Sequence, residues 1–439
     1  MDTICAISTA YGKGGIAVIR VSGDKAITIV DSLFVGRTRL VDAQANTVHF
    51  GRIQRETDTL DEVLCSVFRA PHSFTGEDTV EIACHGSLYI QREMLQWLVD
   101  AGCRIARPGE FTQRAFLNGK MDLAQAESVA DLIAALNKEE KDLALSQLQG
   151  SVSNELAGLR ERLLQFTSLV ELELDFADHE ELEFADRTEL RNLAAEIAAK
   201  LAALMASFKT GNAIRNGIPV AIVGAPNVGK STLLNALLGT DRAIVSEIQG
   251  TTRDTIEETI VIDDVLFRLI DTAGLRDTED TIEQMGIERS RQAIEKAQIV
   301  VHVSDNGQWT MDTGHAGTVI RVRNKADLIK ASGVRSQESG ILISAKNGEI
   351  EPLRQALVQA AREMLDTSSV MISNARHYEA ITRAHEAILR VQEGLISGLS
   401  GEILSLDLND CLSALGEVTG QITNEEVLHN IFSKFCIGK

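Results

Sequence analysis

Apolar positions along this chain fall into three successive textures. From Met1 to about Asn118 they form short mixed runs. Ile16–Val21 and Val80–Ala83 predict strands, Ser87–Val99 predicts a helix, and Gly12, Gly14 and Gly15 punctuate the first turn. From Gly119 to Asn216 the step becomes three and four. Leu145, Leu148, Val152, Leu156, Leu159, Leu163, Phe166 and Val170 predict one helical stripe, and Leu190, Leu193, Ile197, Leu201 and Leu204 a second. The acidic stretch Glu171–Glu183 between them reads as a solvated helix end or loop.

From Gly217 to Thr367 the runs shorten to strand length: Val220–Val223, Leu266–Ile270, Ile299–Val303, Val319–Val322 and Ile341–Ile343. Helical stretches separate several of them, which predicts a largely parallel sheet with helices on both faces. After Ser368 helical spacing returns, in Tyr378, Ile381, Ile388, Val391 and Leu395 and again in Leu408, Leu412 and Leu415. Thr423–Glu426 has the form of a capping box opening a last helix. The expected organisation is an α+β domain over 1–118, a helical domain in two parts over 119–216 and 368–439, and an α/β domain over 217–367 inserted between those parts.

Composition narrows the partners. The chain has 439 residues and a formal net charge of −20, which argues against a broad basic face for nucleic acid but not against a local basic patch. Six scattered cysteines, none with C-x-x-C spacing, predict a reduced, cytoplasmic protein. Met1–Tyr11 lacks the pattern of a secretory leader, so none is expected. No apolar run reaches about 18 residues, so no membrane span is expected.

The chemistry lies in the third texture. Gly224-Ala-Pro-Asn-Val-Gly-Lys-Ser231 fits G-x-x-x-x-G-K-[ST] between a buried strand and a helical run. Backbone N–H groups from Asn227, Val228 and Gly229 into Thr232 would cradle phosphates. Lys230 would neutralise them, and Ser231 would offer a hydroxyl to Mg²⁺. Asp271-Thr272-Ala273-Gly274 and Asn324-Lys325-Ala-Asp327 each end a strand. Asp327 can accept two hydrogen bonds from a guanine edge, which adenine cannot supply. Ser344-Ala345-Lys346 ends the last strand and suits a loop that buttresses the base. Gly250-Thr251-Thr252-Arg-Asp254 supplies a threonine able to close over Mg²⁺ when a γ-phosphate is present. Together these motifs predict a GTP-hydrolysing P-loop domain.

The motifs GAPNVGKS at 224–231, GTTRD at 250–254, DTAGLR at 271–276 and NKAD at 324–327 resemble the MnmE/TrmE family of tRNA-modification GTPases. So do the stretch RPGEFTQRAFLNGKMDLAQAE at 107–127 and the terminal CIGK. The resemblance runs over essentially the whole chain. It implies K⁺-assisted hydrolysis with Asn227, Ser246, Ile248 and Thr251 around the cation, Mg²⁺ at Ser231 and Thr252, and Glu283 orienting the attacking water. It also implies that Arg20, Glu81, Lys120 and Lys439 hold a tetrahydrofolate derivative, 5-formyl or 5,10-methylene. Cys436 reads either as a modification-site thiol or as a small apolar residue packing the last helix. The family's partners follow: a homodimer, the MnmG/GidA flavoprotein carrying FAD and NADH, and tRNA, without a membrane. The expected activity installs an aminomethyl or carboxymethylaminomethyl group at C5 of a wobble uridine. Two other readings are a ribosome-assembly GTPase of the Era or Der kind and a GTP-regulated folate-binding scaffold. A single G domain argues against Der, and the lack of a G-x-x-G RNA-binding loop after that domain argues against Era.

Overall fold

The computed structural model describes residues 2–175, 187–241, 258–270, 291–308, 317–328, 340–364 and 370–438. The chain forms two compact units, one of Met1–Ala130 with Gly416–Lys439 and one of Asp131–Leu415.

The first unit is built on seven strands: β1 (Ile4–Ile7), β2 (Ile16–Ser22), β3 (Phe34–Gly36), β4 (Thr47–Arg55), β5 (Asp58–Phe68), β6 (Thr79–His85) and β7 (Arg104–Ile105). Their order is β3-β4-β5-β6-β2-β1-β7, and every pairing is antiparallel except β1 with β7. Side chains alternate across the pleat. On β2, Ala17, Ile19 and Val21 are buried, while Val18 and Arg20 stand on the more open face. Helices α1 (Ala26–Leu33) and α2 (Leu88–Asp100) contribute Val30, Met94 and Leu98 to the same core. Complete burial of Ile19, Ile82 and Leu98 stabilises by roughly 2 kcal/mol each. The sequence patterns had named only β2 and β6 of this sheet. The hairpin β4–β5 escapes because Val48, Phe50 and Leu64 are exposed on its outer face, so apolar side chains occupy both faces and the alternation blurs.

Helix α3 (Glu110–Leu117) and the first part of α4 (Leu123–Ala134) complete the unit, together with the returning C-terminal segment. Leu428, Phe432 and Phe435 pack on Leu123 and Ala126. The last helix spans Glu425–Phe432, and its cap is Asn424, whose side-chain oxygen accepts from the Val427 N–H at 2.9 Å. The capping box on Thr423 is therefore displaced by one residue. Asn424 is itself a strong N-cap former and takes the position.

In the second unit, α5 (Lys138–Leu148) and α6 (Ser151–Asp175) divide the first predicted stripe, which breaks at Gln149–Gly150. Helix α7 (Arg187–Asn216) lays Leu190, Ile197, Leu201 and Leu204 against the helix Ala375–Ser397, which buries Ile381, Ile388, Val391 and Leu395. Phe208 stacks on Tyr378 at 4.5 Å.

Among the described residues, the other part of this unit is a six-stranded sheet. Its strands are β8 (Ile218–Val223), β9 (Glu258–Ile262), β10 (Val265–Ile270), β11 (Ile299–Ser304), β12 (Thr318–Arg323) and β13 (Ile341–Leu342), in the order β13-β12-β11-β8-β10-β9. All pairings are parallel except β9 with β10. Both faces are covered, as a parallel sheet requires. Val220 and Ile222 pack with Leu233 and Leu237 of α8 (Lys230–Asp241) and with Leu353 and Leu357 of α9 (Glu351–Met364). Ala221 and Val223 point the other way, to Ala293, Ile294 and Ala297. Strand order reverses about β8, which opens a crevice at its C-terminal end. Among the described residues no helix is long and apolar enough to cross a membrane.

Candidate functional site

The loop 224–229 leaves β8 at that crevice and delivers Lys230 to the first position of α8. Asn227 has φ +64° and Gly229 φ +95°. A Cβ at Gly229 would lie 2.3 Å from the Asn324 side-chain nitrogen, so close loop contact as well as backbone angle requires glycine there. The Lys230 ammonium donates to the carbonyl oxygens of Gly224 at 2.9 Å and Ala225 at 2.8 Å. Burial pushes its pKa below the ordinary lysine value. Ser231 and Thr232 stand exposed on the first turn of α8, and Val228 is buried under the loop.

Asn324 joins three loops. Its Nδ2 donates to the Val228 carbonyl at 2.9 Å, and its Oδ1 accepts from the Ala345 N–H at 3.0 Å. The Ser344 hydroxyl donates to Asp327 Oδ1 at 2.8 Å. Lys325, with φ +62°, donates to Asp305 Oδ2 at 2.9 Å. The structure thus gathers Val228, Gly229, Asn324, Lys325, Asp327, Ser344 and Ala345, with Asn324 and Val228 96 positions apart in sequence. Asp305 was not singled out in the sequence. Its only local signal is its place directly after a buried strand.

Ser246, Ile248, Thr251, Thr252, Asp271, Thr272, Ala273, Gly274, Glu283 and Lys439 lie outside the described residues.

A second polar group stands on the sheet of the first unit. Arg20 and Glu81 are direct cross-strand partners on β2 and β6. The guanidinium donates from Nε at 2.9 Å and reaches the same carboxylate oxygen from its terminal nitrogen at 2.8 Å. Arg20 also lies over the rings of Phe74, at 5.0 Å, and Phe111, at 5.5 Å. Lys120 donates to the Pro71 carbonyl at 2.9 Å. One loop, residues 71–76, therefore supplies contacts to both Arg20 and Lys120. Sequence reasoning missed Phe74 and Phe111, because nothing linear distinguishes an aromatic that faces a cation from one that fills a core.

Cys436 is exposed. The packing of the last helix falls to Phe435, whose ring lies 5.4 Å from that of Phe432. The reading of Cys436 as a packing residue is corrected accordingly. The tail is instead held by its backbone. The Cys436 carbonyl accepts from the Gly109 N–H at 3.4 Å, and the Gly438 carbonyl from the Ser8 hydroxyl at 3.1 Å.

A parallel sheet with a phosphate-loop motif at its topological switch point, cross-linked to an N-K-x-D loop, defines the P-loop G-domain class. Two family models match the chain: the one described as GTP-binding protein TrmE N-terminus over residues 3–120, and the one described as MnmE helical domain over residues 123–436. The chain is 54% identical to the tRNA modification GTPase MnmE of Parabacteroides distasonis, with all of both chains covered. It is 50% identical to that of Bacteroides fragilis and 48% identical to that of Bacteroides thetaiotaomicron, each match covering all of this chain and 99% of the relative. The chain belongs to the MnmE/TrmE family.

Proposed function

We infer that this chain is a GTP hydrolase of tRNA modification. With a flavoprotein partner it installs the aminomethyl or carboxymethylaminomethyl group at C5 of the wobble uridine. The carrying observation is that relatives named for this activity match the chain end to end, while its own fold sets the phosphate loop beside the Asn324–Asp327 loop. Ribosome assembly and a folate scaffold without tRNA chemistry are not favoured by that full-length likeness.

In this reading Asp327 accepts from the guanine edge, and Asn324 keeps the base loop in register with the phosphate loop. Lys230 exchanges the Gly224 and Ala225 carbonyls for phosphate oxygens. Its partial burial strengthens that attraction, because a shielded charge interacts more strongly. Ser231 and Thr252 would hold Mg²⁺. Asn227, with Ser246, Ile248 and Thr251, would hold K⁺, which supplies positive charge beside the transferring phosphoryl group. Glu283 orients the attacking water. If K⁺ has this role, hydrolysis falls at least tenfold when Na⁺ replaces it at constant ionic strength. Equal rates in the two salts would remove Asn227 from the cation site.

The Arg20–Glu81 group fits a tetrahydrofolate derivative. Glu81 commits one oxygen to Arg20 and leaves the other without a protein partner among the described residues, as an acceptor for a pterin donor edge. Lys120 and Lys439 would suit the glutamate tail. The group donates the one-carbon unit when bound, whereas these side chains bind and orient it. FAD and NADH belong to the partner. A homodimer working in the cytoplasm completes the proposal.

Mass spectrometry of tRNA nucleosides from cells lacking the chain tests the function. The expected result is loss of the C5-modified wobble uridines and their return with the intact chain. Normal nucleosides in the deletion strain would overturn it.

A further inference from the structure

We propose that Asp305 is a positioning residue for guanine recognition: it holds the Lys325 ammonium away from Asp327, so that the Asp327 carboxylate stays free for the base. The inference rests on the guanine-reading role proposed for Asp327.

Asp305 follows β11 directly, in a turn that is fixed on several sides. The buried Ser304 hydroxyl donates to Asn306 Oδ1 at 2.9 Å and accepts from the Gly307 N–H at 3.0 Å. Asn306 Oδ1 also accepts from the Gln308 N–H at 2.9 Å. The Asn324 N–H donates to the Ser304 carbonyl at 2.8 Å, which ties the start of the base loop to the same turn. Asp305 is thus a rigidly carried carboxylate beside a rigidly carried Lys325. A hydrogen bond from Lys325 holds its carboxyl below the usual carboxylate value, with burial opposing.

Lys325 and Asp327 are two residues apart in one loop, and a lysine stem is long and flexible. An unclaimed ammonium there would meet the nearest carboxylate, and a pair with Asp327 would compete with the guanine donors. Two arrangements prevent this. Asp305 takes the ammonium at 2.9 Å, and the Ser344 hydroxyl fixes one Asp327 oxygen at 2.8 Å. The Asp305–Lys325 pair is only about two-thirds buried, with 37% and 36% of the two side chains exposed, so it contributes little to stability as an ion pair. Its consequence is where it leaves the charge.

The test compares GTP with inosine triphosphate, which lacks the 2-amino group and so makes one fewer bond to Asp327. In the full-length chain, Asp305→Asn should raise KM for GTP about tenfold, leave kcat near wild type and shrink the GTP-over-ITP preference. Asp305→Glu should recover part of that preference. The decisive variant is Asp305→Asn with Lys325→Met, which keeps the apolar stem and removes the ammonium. It should regain guanine preference relative to Asp305→Asn alone. A wild-type GTP/ITP ratio in Asp305→Asn, or a double variant no better than the single, overturns the proposal. Failure of the underlying reading would show differently, as unchanged guanine preference in Asp327→Asn.

Discussion

Asp327→Asn should lower kcat/KM for GTP by about three to five powers of ten and raise it for xanthosine triphosphate. The expectation follows from counting donors and acceptors. Guanine presents N1–H and a 2-amino group on one edge, two donors that require two acceptors. A carboxylate offers them, and here one oxygen is steadied by the Ser344 hydroxyl at 2.8 Å. An amide offers one acceptor and one donor group, so its NH₂ would face the guanine amino group and both would be left unpaired. Xanthine has a carbonyl at that position and matches the amide. Buried polar groups without partners carry the large penalty that makes such sites selective. The Ser344–Asp327 contact and the Asn324 cross-links to Val228 and Ala345 place the substitution on a rigid frame, so relaxation cannot restore the missing bond. Steady-state kinetics with both nucleotides measures the effect. Retained GTP preference would remove Asp327 from base recognition.

Much of the α/β architecture was legible because parallel strands buried on both faces are continuous apolar runs. Val220–Val223 and Ile299–Val303 each stop where chemistry begins, at Gly224 and just before Asp305. Strand β9 was not legible. Glu258–Ile262 is a short edge strand, half-buried, and lacks a run long enough to stand out. The helical stripe from Leu145 to Val170 reads as one periodic series because the break at Gln149–Gly150 shifts the phase too little to show. Candidate site residues divide in the same way. The phosphate-loop and base-loop motifs are linear strings, so spacing alone exposes them. Arg20, Glu81, Phe74 and Phe111 meet only through strand pairing and a returning loop, with Arg20 and Glu81 61 positions apart in sequence. No local pattern marks such a meeting; resemblance to a family was the one route to Arg20 and Glu81, and it did not reach Phe74 and Phe111. The pairing of Asp305 with Lys325, 20 positions apart in sequence and just past the ends of adjacent strands, was invisible for the same reason, although Lys325 itself stands in a legible motif.

Gly438→Ala should abolish the proposed tRNA modification while leaving GTP hydrolysis intact. Gly438 has φ +94°, and a Cβ there would lie 2.0 Å from the Ile7 carbonyl oxygen. That obstacle is the backbone of β1, where Ile7 is paired with Ile19 of β2, so it cannot rotate away as a side chain would. Left-handed backbone costs a non-glycine residue about 1–3 kcal/mol before the clash is counted. Against this, among the described residues, the terminal segment is held by hydrogen bonds from Ser8 to the Gly438 carbonyl and from Gly109 to the Cys436 carbonyl, and the second is long at 3.4 Å. The tail should therefore undock from Cys436 onward, while Phe435 and Phe432 stay anchored on Leu123 and Ala126. Folding of the unit should survive, because those aromatics and not the tail carry the apolar burial. What is lost is the placement of Cys436 relative to the sheet that bears Arg20 and Glu81. Faster release of the last residues by carboxypeptidase would report undocking directly. Nucleoside mass spectrometry after complementation would then show whether the modification depends on it. Wild-type levels of modified uridine from an undocked chain would mean that the tail's docking has no part in the chemistry. Joint loss of modification and docking, with GTP turnover unchanged, would separate the tail's contribution from that of the G domain.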